Sequence, residues 1–67
     1  MEERHLALAR RHLAEGETRI IAQLALIERL KERGADTDAA DAFLNVLRGT
    51  LSGWQAHRDR IEAELGL

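Results

Sequence analysis

Apolar residues in the first half of the chain fall at Leu6, Leu13, Ile20 and Ile27, seven positions apart, with Leu24 in the column between them. This spacing returns to one side of a helix every two turns and predicts an amphipathic α-helix with a single apolar stripe. The second half is more regular. Ala40, Leu44, Leu47, Leu51, Trp54, Arg58, Ile61 and Leu65 alternate steps of four and three, the spacing of a coiled-coil seam, and only Arg58 is not apolar. Between the halves lies Arg33-Gly34-Ala35-Asp36-Thr37-Asp38. Gly34 can take the left-handed conformation that ends a helix, and Asp36 or Thr37 can accept hydrogen bonds from the free amides that open the next. Helices are therefore predicted over residues 2–33 and 38–65, with a turn at 34–37. So short a connection makes them antiparallel neighbours.

Facing residues of an antiparallel pair have numbers that add to a constant. Leu6 with Leu65, Leu13 with Arg58, Ile20 with Leu51 and Ile27 with Leu44 all add to 71, as do Arg10 with Ile61, Glu17 with Trp54 and Leu24 with Leu47. The two seams mesh, and the predicted fold is all-α: one helical hairpin spanning 1–67. Glycines at 16, 49 and 53 each weaken a helix by about 1 kcal/mol relative to Ala. A break between Gly49 and Gly53 is the alternative to a continuous second helix.

The apolar residues left outside the seam gather on one flank. On the second helix they are Phe43, Val46, Thr50, Gly53 and His57; on the first, Ala9, Gly16, Gln23, Leu26 and Leu30 are read as the matching column. The opposite flank of the second helix, Asp41, Arg48, Gln55 and Glu62, is polar. Composition gives the apolar flank its meaning. A chain of 67 residues without Cys has no disulfide or thiolate metal site, and at this size only about 60% of the unfolded surface is buried on folding. Two hairpins docked as a homodimeric four-helix bundle would supply a larger core. The predicted dimer interface is Gly16, Leu26, Leu30, Phe43, Val46, Thr50 and Gly53. The alternative is that Phe43 and Leu30 only cover the turn end.

The net charge of −2 comes from ten basic and twelve acidic residues interspersed, which provides no field to concentrate polyanions. Arg4, Arg10, Arg11 and Arg19 are interrupted by Glu15 and Glu17, and only Phe43 and Trp54 offer rings for stacking, so nucleic-acid binding is not expected. No apolar run approaches the roughly 18 residues of a membrane span, and the opening Met-Glu-Glu-Arg-His lacks signal-peptide order. A cytoplasmic location without a membrane partner is the expectation.

Polar residues at seam positions are the candidates for chemistry. Glu17 and Arg58 are expected to form a buried ion pair beside Trp54, and with His57, set opposite the side-chain-free Gly16, they outline a candidate site for a small charged ligand. Glu2-x-x-His5 carries the carboxylate–histidine spacing of di-iron bundles and His12-x-x-Glu15 the reverse order, but His5 and His12 fall on the outer flank and read as solvated surface. No Ser or Cys lies at a triad-like spacing. No catalytic, cofactor or metal-binding residue is assigned. The expected role is a non-enzymatic interaction module, a homodimeric structural or adaptor subunit that presents its outer surface to an unidentified protein partner. The alternative is a small ligand- or metal-responsive regulator using Glu17, Trp54, His57 and Arg58.

The pattern His12-x-x-Glu15-Gly16-Glu17-x-x-Ile20, Gln23-x-x-x-Ile27-x-x-Leu30, Gly34-x-Asp36-Thr37, Leu44-x-x-Leu47-x-x-x-Leu51 and His57-Arg58-Asp59-Arg60-Ile61 resembles a family of short, uncharacterised helical-hairpin proteins from α-proteobacteria. The resemblance covers nearly the whole chain and implies a bacterial cytosolic hairpin, with no activity to carry over. Arg supplies nine of the ten basic residues, compatible with a GC-rich genome. Ile27-Glu28-Arg29-Leu30 before a Gly turn is also similar to the exonuclease VII small subunit, which shows that such hairpins can serve as subunits of larger assemblies.

Overall fold

A computed structural model describes residues 2–67, without the side chain of Glu2, and contains two α-helices packed against each other, α1 (Glu2–Glu32) and α2 (Asp38–Leu65). They form a rod 50 × 15 × 14 Å. The turn works as its residues require. Gly34 sits at φ 70°, the Gly34 amide donates to the Lys31 carbonyl at 3.0 Å, and the Ala35 amide donates to the Leu30 carbonyl at 2.9 Å. These paired bonds satisfy the last carbonyls of α1 in a Schellman motif. At the start of α2, the Asp36 carboxylate accepts from the Asp38 amide at 2.9 Å, while the Thr37 hydroxyl donates to Asp41 at 3.0 Å instead of accepting from the helix. Asp38 and Asp41 lie in the first turn of α2, where carboxylates favour its positive end. Helix α2 runs unbroken through Gly49 and Gly53.

The seam on α2 is the one its spacing predicts, since Ala40, Leu44, Leu47, Leu51, Trp54, Arg58, Ile61 and Leu65 are all buried or half-buried. On α1 one column differs. Leu6, Leu13, Ile20 and Ile27 do face inward, but their companions are Ala9, Gly16, Gln23 and Leu30. Arg10, Glu17 and Leu24, expected in the seam, are exposed.

The register differs accordingly by one helical turn. A Cβ built on Gly16 would stand 3.2 Å from Leu51 Cδ1, so these two residues face each other, and their numbers add to 67. With that constant the inward residues of α1 from Leu6 to Ile27 each meet a seam residue of α2, as Leu6 does Ile61, Leu13 Trp54, Ile20 Leu47 and Ile27 Ala40, while Leu30 falls level with Thr37 at the turn. Leu6, Ala9 and Ile61 form the best-buried cluster, at the open end, with Trp54 and Leu65 packed on it. Toward the turn, Gln23 is buried and donates from Nε2 to the Ala40 carbonyl at 2.9 Å. That bond ties the helices together and meets the amide's need for a partner.

Candidate functional site

Three aromatic rings converge halfway along the hairpin. Trp54, held half-buried by its seam position, is stacked by His12 with centroids 4.2 Å apart and planes at 22°. His57, one turn further along α2, meets the same indole edge-on at 5.6 Å and 69°. The His12 imidazole lies 3.7 Å from the Glu15 carboxylate. His12 therefore belongs to this site and not to a solvated outer flank. The turn-off register hid it, because a constant of 71 sets Trp54 against Glu17, whereas the observed one sets Trp54 against Leu13, beside His12.

Around the rings the surface dips twice. A narrow cleft is lined by His12, Glu15, Gly16, Arg19, Leu47, Thr50, Leu51 and Trp54. Beside it a shallow, open and mostly apolar hollow of about 280 Å³ lies over Thr50, Gly53, Trp54 and His57. Gly53 makes the hollow possible, since a Cβ there would meet nothing within 4 Å.

The cleft and hollow identify one flank of the hairpin, where Arg19 of α1 neighbours Thr50 of α2. Leu26 is seven residues beyond Arg19 and Phe43 seven before Thr50, so both continue this flank toward the turn. Five residues of the expected interface, Leu26, Phe43, Val46, Thr50 and Gly53, thus share an exposed face, with Phe43 53% and Val46 61% exposed. Two do not. Gly16 faces inward against Leu51, and Leu30 is half-buried in the seam. Apolar surplus also lies elsewhere: Ile21, 68% exposed, and Leu24 are on the far side of α1, where the register error placed Leu24 in the core.

The expected Glu17–Arg58 pair is not formed. Arg58 bonds Asp59 at 2.9 Å and Glu62 at 3.2 Å, and Glu62 also lies 3.6 Å from Arg10. In the observed register Arg58 stands level with Ala9, about two turns from Glu17, which is exposed on the opposite flank with Arg10 and Leu24. Nor does His57 face Gly16, whose open side is filled by Leu51. Glu2-x-x-His5 depends on a side chain outside the described residues. Among the described residues no group of three or more His, Asp or Glu side chains is arranged to hold a metal ion, and no helix is long and apolar enough to cross a membrane.

No family model matches the chain, and no curated protein or solved structure is significantly similar to it.

Proposed function

We propose that this chain is a non-enzymatic interaction module that works as a homodimer, two hairpins joined by the flank of Leu26, Phe43, Val46, Thr50 and Gly53 into a four-helix bundle. The observation that carries the reading is unspent apolar surface. The hairpin exposes 4999 Å², whereas a compact monomer of 7.5 kDa exposes about 4,250 Å². That excess is total surface and follows from the rod shape; its apolar part on this flank is Leu26, Phe43 and Val46, 36%, 53% and 61% exposed. The side of α2 that carries Asp41, Arg48, Gln55 and Glu62 has no such patch. Once dimerised, the remaining outer surface is free to engage a further protein.

Sedimentation equilibrium tests the reading. Wild type is expected to be dimeric at micromolar concentration. Phe43→Glu should weaken association by several kcal/mol, because a buried unpaired charge is added to the lost apolar contact. Gln55→Glu, on the polar flank, should change little. A monomeric wild type, or equal effects of the two substitutions, sinks the proposal.

The convergence of His12 and His57 on Trp54 favours a second reading, a small ligand- or metal-responsive regulator. Of the residues first considered for it, only Trp54 and His57 remain together. A ligand at a hundredfold excess over its Kd should stabilise the fold by about 2.7 kcal/mol. A thermal-shift screen with divalent metals and common metabolites that moves nothing removes this alternative.

A further inference from the structure

The exposed flank carries both a projection and a recess. Phe43 stands out half-exposed near the turn, and ten residues along the same stripe of α2 lies the hollow over Gly53, bordered by Thr50, Trp54 and His57. The hollow is shallow and open with a mostly apolar lining, so it offers a ring a place to lie against Gly53 between Thr50, Trp54 and His57. A surface that pairs with a copy of itself across a two-fold axis must be self-complementary: whatever protrudes at one point must find its recess at the symmetry-related point. Phe43 and the Gly53 hollow meet that condition.

We infer that two copies dock with their α2 helices antiparallel, Phe43 of each seated in the Gly53 hollow of the other. This deepens the homodimer reading and rests on it. The axis then falls level with residue 48, midway between the two features, which sets Val46 of one copy against Thr50 of the other. Level with residue 48 on α1 is Arg19, by the hairpin's own register, so the two copies of Arg19 approach at the axis. Glu15, one turn away beside the same cleft, meets each with the opposite charge. Leu26 comes to lie over His12 of the other copy, so the apolar turn end of one hairpin covers the aromatic cluster of its mate. The competing two-fold arrangement, with the axis along the hairpins, places both turns together and leaves the hollow facing His12 and Glu15 unfilled.

Complementary variants separate these possibilities. Phe43→Ala removes the projection and Gly53→Leu fills the recess; a Cβ at position 53 meets no atom within 4 Å, and circular dichroism should show both variants fully helical. Each alone loses both contacts of the dimer and is expected to associate at least tenfold more weakly than wild type. An equimolar mixture restores one complete contact, because the intact Phe43 of one variant enters the intact hollow of the other. Mixed dimers should therefore form more tightly than either homodimer. The chain has no Cys, so a spin label on Ala35→Cys is unique, and its distance across the dimer should be about 40 Å. A dimeric wild type whose variants do not rescue one another, or labels within about 20 Å, overturns this geometry and leaves the homodimer standing. A monomeric wild type overturns both.

Discussion

Gly16 and Gly49 occupy the interiors of equivalent helices, yet their surroundings assign them opposite roles. At Gly49 a Cβ would meet nothing within 4 Å, so Gly49→Ala should stabilise the hairpin by about 1 kcal/mol through helix propensity alone. At Gly16 the same methyl would press on Leu51 Cδ1 at 3.2 Å, and whatever propensity contributes is offset by displacing that leucine. Urea denaturation at a concentration where the variants share one oligomeric state should show a clear rise in midpoint for Gly49→Ala and a smaller rise, or a fall, for Gly16→Ala. Equal gains would mean that the helices do not pack closely at Gly16. The turn glycine is different again. Gly34 is held at φ 70°, where a β-carbon costs roughly 1–2 kcal/mol, so Gly34→Ala should lower the unfolding free energy by that amount, and the midpoint with it, although nothing lies near it.

Helix α2 was readable in full because eight seam positions alternate without interruption and only Arg58 is polar. Helix α1 was half readable. Its d-like column of Leu and Ile is unambiguous, but the second column consists of Ala9, Gly16, Gln23 and Leu30, and Leu24 next door is more apolar than Gln23. Hydrophobicity alone chooses Leu24; the structure chooses Gln23, whose amide reaches the Ala40 carbonyl. The register error follows from the same source. A seam with four-and-three steps slides by one turn and still sets apolar against apolar, so matching sums cannot distinguish 71 from 67. Size and hydrogen bonding do, at Gly16 against Leu51 and at Gln23. The expected Glu17–Arg58 pair fell with that register. Its replacement, Arg58 with Glu62 four residues on, is a half-buried helix pair of about 0.3–0.5 kcal/mol. A double-mutant cycle on Arg58 and Glu62 should return a coupling of that order, and one on Glu17 and Arg58 should return none.

For the molecule as a whole, the shortage of interior is the dominant fact. Among the described residues six apolar side chains are buried, while seven large ones stay exposed, and a two-helix seam offers no second layer to cover them. If dimerisation covers the three on the proposed flank, Leu26, Phe43 and Val46, stability must depend on concentration. The thermal midpoint of wild type should rise over a hundredfold increase in protein, and that of Phe43→Glu should not. Length and composition already pointed to the shortage of interior, and charge bounded the class of partner, but neither indicates where a partner sits. The flank itself was visible in the sequence through Phe43, Val46, Thr50 and Gly53 on α2. What lay beyond reach was the aromatic cluster, since His12 joins Trp54 only once the helices are correctly aligned.

The buried cluster at the open end has a kinetic consequence. Leu6 and Ile61 lie 55 positions apart, whereas Ile27 and Ala40, near the turn, lie 13 apart. Chain-closure entropy grows as the logarithm of loop length, so bringing the distant pair together first costs about 1 kcal/mol more than starting at the turn. The hairpin should therefore zip from Gly34 outward, and Leu6, Ala9 and Ile61 should close last, as a clasp on helices already aligned. A clasp made after the rate-limiting step leaves the folding rate alone and governs how long the folded state survives. In stopped-flow experiments Leu6→Ala should speed unfolding while refolding is nearly unchanged, whereas Leu44→Ala should slow refolding. The chain then owes its speed of assembly to one end of the rod and its persistence to the other.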